Sequence, residues 1–263
     1  MIKGYTDKED VMRVAIVPST VGFHWEEVYD AYKQYKKEGW NIDFYTVDGK
    51  PAKEDPKSVE HQPLRSFIGL GIRDSFSPTS ELGKEINYLL KNEVQNISDM
   101  NIDSIDVIYI PGGHGCLFDV NTNTILHQKL LEAFYKEKIL SAVCHGTSTF
   151  AFVEDKGTSI VAGKKMTGFP DLLDDMLLKL GWVYEDFIPL PFSNEQKMRQ
   201  AGAKLSGFNL FLSIVNPFHR VKDTPFVTGV GPKSAGRVAK KVIKMLTKQE
   251  EERVHQTEPA MAY

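Results

Sequence analysis

Three short segments of the 263-residue chain set reactive or hydrogen-bonding side chains beside turns: Ser19-Thr20, Gly112-Gly113-His114-Gly115 and Cys144-His145-Gly146. The last carries the sharpest chemistry. A run of small and apolar residues, ILSAVC (139–144), stops at a cysteine and passes directly into His-Gly. A tight strand-to-helix turn of this kind lifts its central side chain above the sheet, and a helix N-terminus favours thiolate. Cys144 is therefore read as a nucleophile and His145 as its proton carrier. The pattern differs from the hydrolase G-x-S-x-G elbow, because Ala142 holds the first glycine position. A buried, inert cysteine is the plain alternative; the adjoining His-Gly and the second glycine turn weigh against it.

The PGGHG turn (111–115) complements the cysteine. Glycines after a strand let backbone N–H groups approach a developing negative charge. Gly113 and His145 are the expected N–H donors of an oxyanion hole, with Gly112 and His114 lining the substrate site beside them.

The rest of the chain must position these segments. RVAIVPS (13–19), WNIDFYTV (40–47), DVIYIPGG (106–113), 139–144 and PFVTGV (225–230) read as strands, and KKMTGF (164–169) as a further candidate. Trp25, Val28, Tyr29, Tyr32 and Tyr35 recur at helical spacing up to Gly39. Helices are also expected near 79–95, 122–137, 146–153, 170–181 and 233–247. Residues 48–78, rich in Pro, Gly and Lys, read as an excursion outside the core. Residues 183–222 read as an elaborated crossover insertion. Strands alternating with helices imply an α/β fold with a mostly parallel sheet covered on both faces, and sites at the carboxyl ends of its strands. One domain over 1–263 is the simplest organisation, with a core of about 11–247 and a flexible tail over 248–263.

Composition narrows the class. Hydrophobic residues make up 41% and charged residues 25%, enough for a buried core. Lys plus Arg is 32 against 35 Asp plus Glu, a net charge of -3, which argues against nucleic acid as a partner. No apolar run is long enough to span a bilayer. Two cysteines and the polar start MIKGYTDKED lead to the expectation of a cytoplasmic protein. With neither a P-loop nor G-x-G-x-x-G, no nucleotide and no cofactor are expected.

Residues 106–119 (DVIYIPGGHGCLFD) and 141–150 (SAVCHGTSTF) resemble signature segments of the DJ-1/PfpI superfamily, which is related to class I glutamine amidotransferases. GGHG and CHG are closest to its Hsp31-like branch. Segments 20–44, 162–175 and 226–243 extend the resemblance in order along most of the chain, most weakly over 48–100 and 183–222. The resemblance implies a flavodoxin-like sandwich. It implies a glutathione-independent glyoxalase, the glyoxalase III or D-lactate dehydratase type, which turns methylglyoxal into lactate. It further implies a stress-protective role and a homodimer. Glu27, twelve positions before Gly39, matches the acid that sits against the cysteine. Asp174 matches the third member of the triad, although Asp171 and Asp175 lie beside it at a helix start.

On this reading, the Cys144 thiolate adds to a small aldehyde such as methylglyoxal or glyoxal. His145 moves a proton between the two adjacent carbons, and water hydrolyses the resulting thioester. Asp174 fixes the imidazole tautomer. A protonated Glu27 lowers the thiol pKa by hydrogen bonding. Two other functions fit the residues: a holding chaperone with little catalysis, and a Cys hydrolase of the peptidase or amidase type, with protein deglycase activity as a variant. Cys116 could act as a resolving thiol, or lie inert. His24 and Glu26 resemble part of a two-His, one-carboxylate metal site; no metal is expected. The aromatic residues of 183–222 could cap the site or extend a dimer face.

Overall fold

β-branched runs such as Arg13–Ile16 and Val107–Ile110 are buried on both faces, as strands of a covered parallel sheet must be. The computed structural model describes residues 11–60, 76–206 and 215–257. Its strands in chain order are β1 (Arg13–Ile16), β2 (Asn41–Thr46), β3 (Gln95–Asn96), β4 (Val107–Ile110), β5 (Ile139–Val143), β6 (Glu154–Asp155), β7 (Thr158–Ser159), β8 (Lys165–Met166), β9 (Lys204–Leu205), β10 (Arg220–Asp223) and β11 (Phe226–Gly229). The main sheet runs β10-β11-β5-β4-β1-β2-β3. All its neighbours are parallel except β10 and β11, which pair antiparallel.

The helices are α1 (Trp25–Lys37), α2 (Pro56–Val59), α3 (Glu81–Asn92), α4 (Thr124–Tyr135), α5 (Asp171–Lys179), α6 (Asn194–Gln200) and α7 (Ala235–Thr257). Strand alternation sends Val14, Ile16, Tyr109 and Val143 into one core with Trp25, Tyr35 and Val242. Ala15, Ile108, Ile110 and Ala142 enter the other, with Leu126, Leu130 and Phe150. The sheet is thus covered on both faces, the flavodoxin-like sandwich expected from the sequence. Trp25 anchors the start of α1: it is fully buried and its Nε1–H donates to Phe76 O at 2.6 Å. Truncating a buried Trp costs about 3–5 kcal/mol.

Several sequence expectations need correction. Residues 48–78 are not wholly peripheral. Residue Phe23 bridges Glu54 in parallel, and Ala52, Asp55, Ser58 and Phe76 are buried, so an apolar minority ties this polar segment to the core. The strand candidate 164–169 shrinks to β8, which pairs with β9 in a separate two-stranded sheet. Within 183–222, β10 joins the main sheet as an antiparallel edge and α6 packs near the elbow, so the segment is structural as well as a crossover. The tail expected from 248 remains helical to Thr257. The helix expected at 146–153 is a 3-10 run, Cys144–Phe152. Residues 61–75 of the first segment, Phe208 and Phe211 of the second, and residues 1–10 and 258–263 lie outside the described residues. No helix among the described residues is long and apolar enough to cross a membrane.

Candidate active site

Ile110 of β4 pairs with Ala142 of β5, so the two strands end side by side and deliver Gly112 and Cys144 to one edge of the sheet. The chain turns abruptly at Cys144, whose φ of 56° lies in the left-handed region that a residue with a Cβ rarely adopts. Such a conformation costs on the order of 1–3 kcal/mol and persists only where its surroundings impose it. Here Gly146 helps impose it: a Cβ there would stand 2.6 Å from Ile110 O. Asn121 fixes the start of the 3-10 turn by donating from Nδ2 to His145 O at 2.9 Å and to Ser148 Oγ at 2.8 Å.

The side chains of Cys144, His145 and Asp174 come together. Cys144 Sγ lies 3.4 Å from His145 Nδ1, and His145 Nε2 lies 2.9 Å from Asp174 Oδ2. Asp174 sits in the first turn of α5, and of the three neighbouring acids it is the one whose side chain reaches the imidazole. Asp171 turns away to accept from Glu195 N at 3.0 Å, tying α5 to α6. Because Nε2 is bonded to a carboxylate, the imidazole presents Nδ1 to the sulfur as a base.

Glu27 arrives from the first turn of α1. Backbone contacts hold that turn against the glycine segment: His24 N donates to Gly112 O at 2.9 Å, and Tyr109 Oη donates to Glu27 O at 3.0 Å. The Glu27 carboxyl accepts from the Gly112 N–H and shares a hydrogen bond with Cys144. It is fully buried, and burial pushes it up to about 8 against the lowering effect of those hydrogen bonds. At neutral pH it is a protonated donor.

The Gly112 N–H is occupied by Glu27. Gly113 lines the cavity with φ 109°, where a Cβ would meet Gly22 O at 2.4 Å, and the His145 N–H faces the sulfur. One expectation about this wall is revised, that of the thiol. Cys144 is only 3% exposed, and burial pushes it well above a free cysteine, with the nearby Glu27 charge adding to the effect. The thiolate expected from the turn's N-terminus is outweighed by desolvation.

His114, expected only to line the pocket, is built into the charge network. Its Nε2 lies 3.1 Å from Asp174 Oδ1, its Nδ1 3.7 Å from Asp55 Oδ2, and its ring 4.6 Å from that of His145. Burial would depress the imidazolium, but the Asp174 hydrogen bond and the charges of Asp174 and Asp55 push it up to about 9. Burial likewise opposes ionisation of Asp174, yet the charge of His145 and the His114 bond hold it well below the usual carboxylate range. Asp55 is held low in the same way, chiefly by His114 against burial. Asp55 is the residue that sequence reasoning missed. Its only local signal is the cap before Pro56, where it accepts from Lys57 N at 2.8 Å.

The cavity enclosed by His24, Asp55, Gly113, His114, Cys144, His145 and Phe169 is about 20 Å³, room for little more than a water molecule. Phe187, from 183–222, packs beside His114 and Phe118 with centroids at 6.4 and 5.6 Å, although no described residue of that segment lines the cavity. Cys116 belongs to the opposite core, where its Sγ–H donates to Pro111 O at 3.2 Å; a resolving role gains no support from that position. Ser19 and Thr20 serve structure, both hydroxyls donating to Asp119 Oδ2 at 3.0 Å. His114, His145 and Asp174 also bring possible metal-ligand atoms within 4.8 Å of one another, but these atoms already engage each other. Among the described residues no such group contains His24 or Glu26.

The ThiJ/PfpI family-like model matches residues 19–181. Glyoxalase 3 of Candida albicans is 27% identical over 82% of this chain and 86% of its own length. Glutathione-independent glyoxalase hsp3101 of Schizosaccharomyces pombe is 28% identical over 85% of this chain and 87% of its own. The crystal structure of glyoxalase III from Candida albicans superposes with a TM-score of 0.67 at 24% identity, covering 89% of this chain and 96% of that one.

Proposed function

This chain belongs to the ThiJ/PfpI family, and from that premise we propose that it is a glutathione-independent glyoxalase that converts methylglyoxal and water to lactate through Cys144. The observation that carries the site assignment is the continuous chain from Cys144 Sγ through His145 to Asp174 beside a narrow buried cavity.

The thiol is neutral at rest, so deprotonation accompanies attack. His145 Nδ1 takes the Sγ proton as sulfur adds to the aldehyde carbon, and returns it to the new alkoxide, giving a hemithioacetal. The neutral imidazole then removes the hydrogen of that carbon and delivers it to the adjacent carbon through an enediol. Asp174 holds the tautomer and stabilises each imidazolium. Glu27 donates to the sulfur as negative charge develops there. Water attacks the lactoyl thioester, releasing lactate and restoring the thiol.

A cavity of about 20 Å³ favours a reagent of few atoms over a peptide, an amide or a glycated protein side chain. A homodimer is part of the proposal. The test is lactate formation from methylglyoxal without glutathione. Wild type is expected to turn over, and Cys144→Ser to lose activity by at least about 10³-fold. Equal rates in the two proteins would end the enzymatic reading.

A further inference from the structure

Three histidines, His24, His114 and His145, and the Asp55 carboxyl group line one cavity, and of these the reaction above uses only His145. The glyoxalase rearrangement involves two substrate oxygens. The carbon bonded to sulfur loses hydrogen only if the neighbouring carbonyl can accept the electron pair. That oxygen, O2, must gain a proton as the enediol forms, and the hydroxyl on the sulfur-bearing carbon, O1, must later lose one. His145 is occupied at these moments by the carbon-bound hydrogen.

Resting on the glyoxalase reading, we propose that His114 is a second catalytic acid–base group, which protonates O2 of an α-oxoaldehyde from its Nδ1 and then takes the proton of O1. The geometry supplies the means. His114 Nε2 is anchored on Asp174 at 3.1 Å, whereas Nδ1 stands 3.7 Å from Asp55, beyond a hydrogen bond. Nδ1–H is therefore oriented by a carboxylate and still available to a substrate oxygen in the cavity that both residues line. The elevated imidazolium described above means the proton is in place at neutral pH. The ring is buried, with Phe187 stacked beside it at 6.4 Å.

Every proton is accounted for. His145 takes the hydrogen from the sulfur-bearing carbon, its electron pair forms the carbon–carbon double bond, and the carbonyl pair takes the His114 proton at O2. In the second half the double bond takes the proton from His145, and O1 releases its own to His114. The hemithioacetal becomes the lactoyl thioester with no net change in either ring. Asp174, bonded to both histidines, couples the two, and Asp55 acts as a positioning residue on the far side of His114. The group also feels His24 and Glu27 at the start of α1, Cys144 and His145 at the elbow, and Tyr184 in the 183–222 segment, among the described residues.

His114→Gln and Asp55→Asn test this with methylglyoxal and its aldehyde-deuterated form. For His114→Gln we expect kcat to fall about 10²–10³-fold with KM changed only a few fold. We also expect an undiminished primary isotope effect and a rate of Cys144 alkylation within a few fold of wild type. For Asp55→Asn the alkaline limb of the kcat profile should move to lower pH, because removing an anion lowers the imidazolium pKa; Asp55→Glu should restore it. A purely structural Asp55 would lower Tm without moving that limb. Wild-type kcat in His114→Gln, or loss of kcat matched by equal loss of thiol alkylation, overturns the role. A wild type that makes no lactate overturns the glyoxalase reading itself.

Discussion

The Cys144 sulfur stands between two walls that treat a buried carboxyl group in opposite ways. On the α1 side, Glu27 has backbone and sulfur for company, and burial drives it up to about 8. On the α5 side, Asp174 is equally inaccessible but is bonded to two histidines, which hold it ionised. The chemistry of the side chain is nearly the same in each place, so its neighbours decide the charge. Paired carboxyl groups pushed apart in this way mark an acid and a charge stabiliser. The neutral wall can give a hydrogen bond to developing sulfur charge, and the ionic wall can stabilise imidazolium. Neither wall holds a thiolate at rest, which in the proposed reaction leaves the imidazole to remove the proton during attack.

The largest effect should come from neutralising the ionic wall. Asp174→Asn keeps the size of the group, but its amide can present a donor to His145 Nε2 and so favour the wrong tautomer. It also removes the anchor of His114. We expect kcat/KM for methylglyoxal to fall about 10²–10⁴-fold with the fold intact by circular dichroism. A loss below tenfold would show that the contrast between the walls is not what drives the reaction.

Glu27→Gln probes the other wall, with a smaller effect on rate and a signed effect on stability. The amide still accepts from Gly112 and donates to sulfur, but it is a weaker donor than a protonated carboxyl group; we expect kcat to fall about tenfold. For stability, the folded value of about 8 exceeds the ordinary carboxyl value of 4.5. Below 4.5 both states are protonated and there is no penalty. Between 4.5 and 8 the unfolded chain ionises and the folded one does not, so stability declines as pH rises; above 8 the full penalty stands. That penalty is on the order of a few kcal/mol. Glu27→Gln should therefore raise Tm relative to wild type by more at pH 8 than at pH 5. A difference independent of pH would mean that Glu27 is not held neutral.

The two walls were not equally legible in the sequence. Cys144, His145, Gly112 and His114 stand at strand ends, where a local pattern announces the turn, and register then brings β4 and β5 together. Glu27 and Asp174 sit on helices beside other acids, and only resemblance singled them out; the phase of α5 settles which acid meets the imidazole. Asp55 lies in a polar stretch with no periodicity. It reaches His114 because a single bridge, Phe23 to Glu54, lays that stretch along the start of α1. Such a contact between residues thirty apart leaves no local trace. Nor does composition state whether a sulfur is solvated, so the turn's field was legible while the larger desolvation opposing it was not.

The smallest expected effect sharpens the comparison by using the second thiol. Cys116 shares with Cys144 complete burial, a thiol pushed well up by desolvation, and the field of Glu27. It lacks the ionic wall: its S–H points at Pro111 O, within the core on the other face of the sheet. If burial and Glu27 alone made a reactive sulfur, both cysteines would react. If the histidine wall is required, only Cys144 will. We expect Cys116→Ala to change kcat less than twofold and to cost about 1 kcal/mol through the lost S–H contact and small void. Alkylation of the native wild type should modify one thiol, and peroxide should inactivate Cys116→Ala at the wild-type rate. Modification of two thiols in the folded protein, or a slower peroxide inactivation of the variant, would show that the elbow histidine is not what separates the two sulfurs.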